Sequence, residues 1–351
     1  MSEKIHKLQK RLDECDFDAW LIEDPIDLYY LTSQKYSCGQ IWIAQSQAWI
    51  LVDGRYIEQA KQNPDVEAYL LSDKKSKELL NSYKVKRIAF DEAKTLCSSH
   101  SRLKKALGSE FDFVAVESIT ESLRRVKDGS ELEKIKNSAA LLWRGYLFIR
   151  ALLKEGVTEK YVAKEFEIFC LKNGADALSF SPIIAFGASS ALPHYHPQDR
   201  ELKKGDLVLI DIGVVFSGYA SDMTRVVFYG EPDPFFVHWL EITQLAQKTA
   251  IDLCRPGQKI SALDEAARGV FKEHGVEKYF IHSLGHGIGL EVHESPRIRY
   301  DKEVGVLEPG MVITIEPGLY LPGKGGVRYE DMIVVTDESC VNLFSHDKAV
   351  L

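Results

Sequence analysis

Lys204-Gly205-Asp206-Leu207-Val208-Leu209-Ile210-Asp211-Ile212-Gly213-Val214-Val215-Phe216-Ser217-Gly218-Tyr219-Ala220-Ser221-Asp222 is the stretch on which the fold reading turns. A turn at Lys204-Gly205-Asp206 opens a strand from Leu207 to about Phe216, and a second strand runs from Ser221 to Tyr229. Side chains alternate along a strand, so only residues of equal parity share a face. A two-residue turn at Phe216-Ser217 would set Asp211 directly opposite Asp222. A turn at Ser217-Gly218 would offset them diagonally on one face, and a three-residue loop would separate them. In either two-residue register the carboxylates converge, and carboxylates that face each other resist joint ionisation unless a dication lies between them.

Three more residues stand in comparable settings. His286 lies between Gly285 and Gly287, Glu316 closes Met311-Val312-Ile313-Thr314-Ile315, and Glu330 precedes Asp331-Met332-Ile333-Val334-Val335. A buried carboxylate must be paired, hydrogen-bonded or metal-bound. Asp211, Asp222, His286, Glu316 and Glu330 together imply a site for two divalent metals. Oxygen-rich ligation with one nitrogen suits manganese first, with cobalt or zinc as alternatives, and the lack of cysteine ligands argues against structural zinc. Two metals about 3.5–4 Å apart can activate a shared water and polarise a carbonyl, which points to hydrolysis. On a strand from Val327 to Val335, Arg328 would share a face with Glu330 and Met332. His282, His286 and His293 are expected to cluster with Glu291 and Glu294. Gly285-His286-Gly287-Ile288-Gly289 lacks the Lys-Ser/Thr of a phosphate loop, so its glycines are read as letting a cofactor or substrate approach the backbone.

The length of 351 residues suits two domains. The N-terminal half alternates strands with helices, including a hairpin of Ile41–Ile43 with Ala48–Val52, as in an α/β domain with a sheet. A polar stretch from Glu121 to Glu133 places the boundary near residue 125, giving domains 1–125 and 126–351. Ser130-Glu131-Leu132-Glu133 is read as a capping box that opens a helix to about Leu153. The second domain mixes helices with glycine-punctuated strands, an α+β pattern. A net charge of -8, from 52 acids against 44 bases, argues against nucleic acid or an anionic membrane as the main partner. The charged start and the absence of a long apolar run lead to the expectation of a cytoplasmic protein with buried free cysteines.

The chain resembles the pita-bread metallopeptidases: methionine aminopeptidase, aminopeptidase P and prolidase. The resemblance covers roughly 130–351. Its motifs are Ser190-Ala191-Leu192-Pro193-His194, Gly205 to Asp211, Gly218 to Arg225, Gly285 to Glu294, Thr314 to Gly318 and Gly326 to Asp331. Tyr30-Leu31-Thr32 and Leu51-Val52-Asp53-Gly54-Arg55-Tyr56 resemble the creatinase/prolidase-type amino domain, which favours the proline-specific branch. The resemblance implies that Asp211 chelates one metal, Asp222 and Glu330 bridge both, and His286 and Glu316 complete the other's shell. It further implies attack by a metal-bridging hydroxide, with Glu316 carrying the proton to the leaving nitrogen. His293 would stabilise the tetrahedral intermediate, His194 would orient substrate, and His282 and Arg328 would line the proline-side pocket. Tyr329 stands where many relatives carry isoleucine. The favoured activity is an Xaa-Pro aminopeptidase on peptides with proline second. The alternatives are a prolidase restricted to Xaa-Pro dipeptides and, third, a non-catalytic peptide-binding homologue. A homodimer is implied by the resemblance alone.

Overall fold

The structure, a computed structural model, describes residues 3–302 and 304–344, and divides into two compact units, Met1–Leu123 and Arg124–Leu351.

In the first unit the order is α1 (Glu3–Cys15), β1 (Ala19–Ile22), α2 (Pro25–Thr32), β2 (Gln40–Ala44), β3 (Ala48–Val52), α3 (Ile57–Ala60), β4 (Glu67–Leu70), α4 (Asp73–Ser82), β5 (Arg87–Asp91), α5 (Cys97–Leu107) and β6 (Asp112–Val116). The strands form one sheet in the order β4-β3-β2-β1-β5-β6. β2 runs antiparallel to both β1 and β3, and the outer strands join in parallel. Alternation sorts the side chains. Leu21, Trp42, Trp49, Leu51, Ile88 and Phe90 pack on one face against Leu79 and Leu80 of α4 and Leu103 and Leu107 of α5. The expected hairpin is present, with Ile43 paired to Ala48 and Trp42 to Trp49. The cysteine expectation holds only in part. All six are free, but Cys15 and Cys97 are exposed.

A short helix, α6 (Ile119–Arg124), runs through the point where the units divide. The second unit continues with α7 (Gly129–Arg150), α8 (Glu159–Lys172), β7 (Ala177–Leu178), β8 (Ile183–Phe186), β9 (Leu207–Ile212), β10 (Val214–Phe216), β11 (Tyr219–Ala220) and β12 (Met223–Phe228). It ends with α9 (Pro234–Ile251), α10 (Ser261–Glu273), β13 (Gly285–Gly287), β14 (Glu294–Ile298), β15 (Val312–Ile315), β16 (Gly318–Leu321), β17 (Gly325–Arg328), β18 (Asp331–Val335) and β19 (Cys340–Asn342). The cap of α7 lies two residues earlier than its sequence suggests, at Asp128 instead of Ser130. Asp128 is the cap, accepting from the amides of Ser130 and Glu131, while the Glu131 side chain returns to the Asp128 amide. An Asp-x-x-Glu box outcompetes Ser130-x-x-Glu133 because the ionised cap also faces the positive end of the helix dipole.

Two cores flank the strands. Val208, Ile210 and Ile212 of β9, with Val312, Met332 and Val334, pack towards Leu142, Tyr146, Val162 and Phe166 of α7 and α8. Leu207 and Leu209, with Ile313, Ile315, Ile333 and Val335, pack towards Trp239, Ala246, Leu263 and Phe271 of α9 and α10. A sheet with both faces covered makes its strands read as continuous apolar runs. A carboxylate at the end of such a run therefore enters a dry interior.

Candidate metal centre

The hairpin that carries the two aspartates turns at Ser217-Gly218, with Phe216 paired to Tyr219 and Val215 to Ala220. Both turn residues have positive φ, 53° for Ser217 and 80° for Gly218. A two-residue hairpin needs that geometry to match strand twist. The same register continues into β9 and β12, where Asp211 pairs with Thr224. Asp222 is therefore diagonal to Asp211, in the offset register. The place directly opposite Asp211 belongs to Thr224, whose hydroxyl donates to Glu330 Oε2 at 2.7 Å.

The third carboxylate arrives differently from the sequence expectation. Val327 to Val335 is not one strand: β17 pairs with β16, and β18 pairs with β15 in another sheet. The chain changes sheet at Tyr329-Glu330, so shared strand parity does not explain why Arg328 and Glu330 both reach the site. Arg225 stabilises the crossing, donating to Glu330 O at 2.6 Å and to Asp331 Oδ1 at 2.6 Å. The Tyr329 ring lies on that guanidinium, 4.4 Å to its centroid.

His286 sits on β13, an inner strand of a five-stranded sheet between β14 and β15. Its glycine neighbours serve the sheet and not a ligand. A Cβ on Gly285 would stand 2.0 Å from Thr314 O, and one on Gly287 would stand 2.2 Å from Ser295 O. The close approach expected for a cofactor is made instead by neighbouring backbone. The His286 amide donates to Thr314 Oγ1 at 3.1 Å, and its Nδ1 lies 3.0 Å from Gly287 O. With Nδ1–H donated to a carbonyl, Nε2 presents its lone pair to Asp222 Oδ2 at 3.7 Å and Glu316 Oε1 at 3.6 Å.

Ligand atoms of Asp222, His286 and Glu330 lie within 4.8 Å of one another, and all three residues are buried. Glu316 adjoins this trio through His286, and Asp211 adjoins it from β9. Of the five buried carboxylate oxygens without a hydrogen-bond partner among the described residues, three converge here: Asp211 Oδ1, Asp222 Oδ1 and Glu330 Oε1. Leaving such atoms bare is costly, and their convergence is what a cation-binding donor set requires. The electrostatics agree. Burial and the Glu330 charge push Asp222 and Glu316 well above the usual carboxylate range, and burial with the Asp211 charge pushes Glu330 up to about 8. Burial and the neighbouring His293 charge push His286 down to about 3, so it is a neutral imidazole at pH 7. Four carboxylates face one buried guanidinium, Arg328, and divalent cations would balance that excess.

Arg328 donates to Asp211 Oδ2, to Tyr320 OH at 2.7 Å and, through Nε, to Thr224 Oγ1 at 3.1 Å. It is 3% exposed, so it acts as a clasp between Asp211 and Tyr320. On the far side of Tyr320, His282 Nε2 lies 2.9 Å from the hydroxyl, and burial pushes that imidazole down to about 4. His293 is exposed, its ring 4.4 Å from that of His286. His194 lies in an exposed turn, close enough for its charge to act on both His282 and His293. The segment after His194 is held by Glu159, which is fully buried and accepts from Tyr195 OH at 2.8 Å and the Gln198 amide at 2.9 Å.

Glu291 and Glu294, expected among the histidines, face away from them. Glu294 pairs with Arg124 and with Lys127 at 3.4 Å, and Glu291 pairs with Arg124 at 2.7 Å. Sequence reading missed Thr224, Tyr320, Thr314, Glu159 and Arg297. Thr224 carried a signal, since it has the parity of Asp222 on one strand. Arg297 is exposed and stands directly opposite His286 across β13 and β14, on the same face.

Comparison with known proteins gives one consistent answer. A sequence model of Metallopeptidase family M24 matches residues 133–337, and one of the Creatinase/Prolidase N-terminal domain matches residues 4–126. The Xaa-Pro dipeptidase of Pyrococcus furiosus is 35% identical over 353 residues, covering 100% of both chains. Among solved structures, the Xaa-Pro dipeptidase from Bacillus anthracis matches with a TM-score of 0.95 at 33% identity, covering 99% of each chain. The X-Pro aminopeptidase from Thermotoga maritima matches with a TM-score of 0.89 at 33% identity, covering 97% of this chain and 99% of that one.

Proposed function

The chain belongs to metallopeptidase family M24, and from that premise we propose that it is an Xaa-Pro dipeptidase, a prolidase. This reverses the order of the two enzymatic readings that the sequence alone favoured. The relatives named as dipeptidases, over the full length of the chain, support the change. The full-length match to an Xaa-Pro dipeptidase and three orphaned carboxylate oxygens beside His286 weigh against the non-catalytic binding reading.

The observation that carries the proposal is the donor set: three orphaned carboxylate oxygens beside a neutral His286. Asp211, Asp222, His286, Glu316 and Glu330 would hold two divalent ions, manganese foremost. When bound, such ions supply an activated water and Lewis-acid polarisation of the scissile carbonyl. The chain's own residues do the rest. Glu316, beside His286 at the edge of the donor set, accepts a proton and returns it to the leaving proline nitrogen. His293, exposed beside His286, donates to the oxygen that gains charge. His194 orients the substrate. His282, held by Tyr320, lines the proline side, while Arg328 positions Asp211 and Tyr320.

A dipeptide places a free carboxylate immediately after its proline, and a dipeptidase needs a cation there. Arg297, on the His286 face, is such a cation. Manganese-loaded protein is assayed on Ala-Pro and on Ala-Pro-Ala. The proposal expects Ala-Pro to be the better substrate, and Arg297→Ala to raise KM for Ala-Pro about tenfold, since a charge-assisted hydrogen bond contributes about 1.5–3 kcal/mol. Preferred cleavage of the tripeptide, with KM indifferent to Arg297, restores the aminopeptidase reading. Failure to cut either peptide removes both.

A further inference from the structure

Behind His282 lies a second charged assembly that the site chemistry does not use. α10 carries Asp264 and Arg268 one turn apart, with Asp264 fully buried. The Arg268 guanidinium is sandwiched between two rings, 4.3 Å from the Phe280 centroid and 4.7 Å from that of Tyr300. From there it donates to His282 O at 2.7 Å and to Phe280 O at 3.3 Å, gripping both ends of the segment Phe280-Ile281-His282. Asp264 completes the frame. Its Oδ1 lies 3.2 Å from Arg268 Nε, and its Oδ2 accepts from the Tyr300 amide at 2.9 Å.

Phe280 anchors one end of that segment in the core, 4% exposed and edge-on to the Phe271 ring at 5.2 Å. A cavity of about 350 Å³ lies against Arg268 and residues 280–283, and Ile281 is 65% exposed. Beyond that anchor the backbone at Ile281-His282 borders open space, and the hydrogen bonds from Arg268 to Phe280 O and His282 O hold it there. The His282 ring spans the short distance from this segment to Tyr320, with Nδ1 2.8 Å from Ser283 O and Nε2 2.9 Å from Tyr320 OH. A shift of the backbone carries the ring out of reach of the hydroxyl that Arg328 also holds.

We propose that Arg268, clamped between Phe280 and Tyr300 and braced by Asp264, is a positioning residue that sets His282 and through it the proline side of the substrate pocket. The proposal rests on the Xaa-Pro reading only for what His282 does once placed. Four metal-loaded full-length proteins test it: wild type, Arg268→Met, His282→Ala and the double variant. If Arg268 acts through His282, Arg268→Met raises KM for Ala-Pro about tenfold when His282 is present, and less than about twofold in the His282→Ala background. An equal rise in both backgrounds, or none in a folded Arg268→Met protein, overturns it. Arg268→Lys, which keeps the charge but not the paired donors, recovers part of the loss. Where Arg268→Met does not fold, Tyr300→Ala removes the half-exposed face of the sandwich and shifts KM in the same direction by less; an unchanged KM there counts against the proposal. The imidazole nitrogen resonances of His282, assigned by their loss in His282→Ala, supply a readout independent of activity. They move in Arg268→Met or Tyr300→Ala, and unmoved signals overturn the proposal. If the wild type cuts no Xaa-Pro bond while the signals still move, the peptidase reading fails and the positioning role stands.

Discussion

The first unit buries hydrocarbon, with Trp42, Trp49 and Leu51 fully enclosed. Among its described residues Asp27 is the one buried charge, and Lys94 answers it at 3.0 Å. The second unit buries Glu131, Glu159, Asp211, Asp222, Arg225, Asp264, Glu294, Arg328, Glu330 and Asp331. Most of these are matched by a partner: Glu159 by two amides and a tyrosine, Arg225 by Asp331, Glu294 by Arg124 and Lys127. One oxygen each of Asp211, Asp222 and Glu330, gathered at the candidate metal centre, has no hydrogen-bond partner, and Asp264 Oδ1 has only Arg268 Nε nearby at 3.2 Å. The contrast separates what folds a domain from what gives it chemistry. An apolar interior is stable as it stands, whereas an interior of unmatched carboxylates is completed only by cations.

The strongest way to break that contrast is Asp222→Ala. Losing a carboxylate from the centre of the donor set is expected to lower kcat/KM for Ala-Pro more than about a thousandfold, close to 4 kcal/mol, and to reduce bound metal. Retained activity would refute the dinuclear centre. In the other unit, Trp42→Ala is expected to cost about 3–5 kcal/mol of stability in denaturant unfolding. Metal content of the protein that remains folded should not change, and a variant that lost metal would blur the separation.

pH sharpens the same contrast. In metal-free protein Glu330 titrates near 8 instead of near its ordinary 4.5, and Asp222 and Glu316 are raised in the same direction. Groups raised on folding bind more protons in the native than in the unfolded state. Their stabilising contribution is full below the ordinary carboxylate range and is lost as pH rises through the raised values, for Glu330 about 8. Chelator-treated protein should therefore melt lower at pH 8 than at pH 5, by about 3 °C or more. Manganese should abolish or reverse the trend, because its ligands must be deprotonated. A flat profile without metal would mean the carboxylates are not crowded. The smallest effect belongs to the surface: Lys61→Ala, which opens the exposed pair with Glu58, should change stability by less than about 0.5 kcal/mol.

How much of this could be read from residues alone depends on range. The convergence of Asp211 and Asp222 was legible because strand alternation and a short hairpin are local. The choice of register was less so, since it rests on Ser217 accepting a positive φ beside Gly218. Asp128 as the helix cap was within reach, but Ser130 offered a competing box. The sheet change at Tyr329 was hidden, because Val327 to Val335 looks like one strand until Arg225 is seen holding the crossing from more than a hundred residues away. The glycines around His286 signalled close approach correctly but not its object, which is the backbone of β14 and β15. Tyr320 and Arg268 carried no sequence signal: their importance lies in carbonyls and hydroxyls that only the folded chain brings near.

The central claim is that the unmatched carboxylates form a two-ion hydrolytic centre. Titrating chelator-stripped protein with manganese while following Ala-Pro hydrolysis tests it most directly. Stripped protein is expected to be inactive, with activity rising until it saturates as two ions bind per chain. Hydrolysis that persists without metal, or none at any loading, would contradict it.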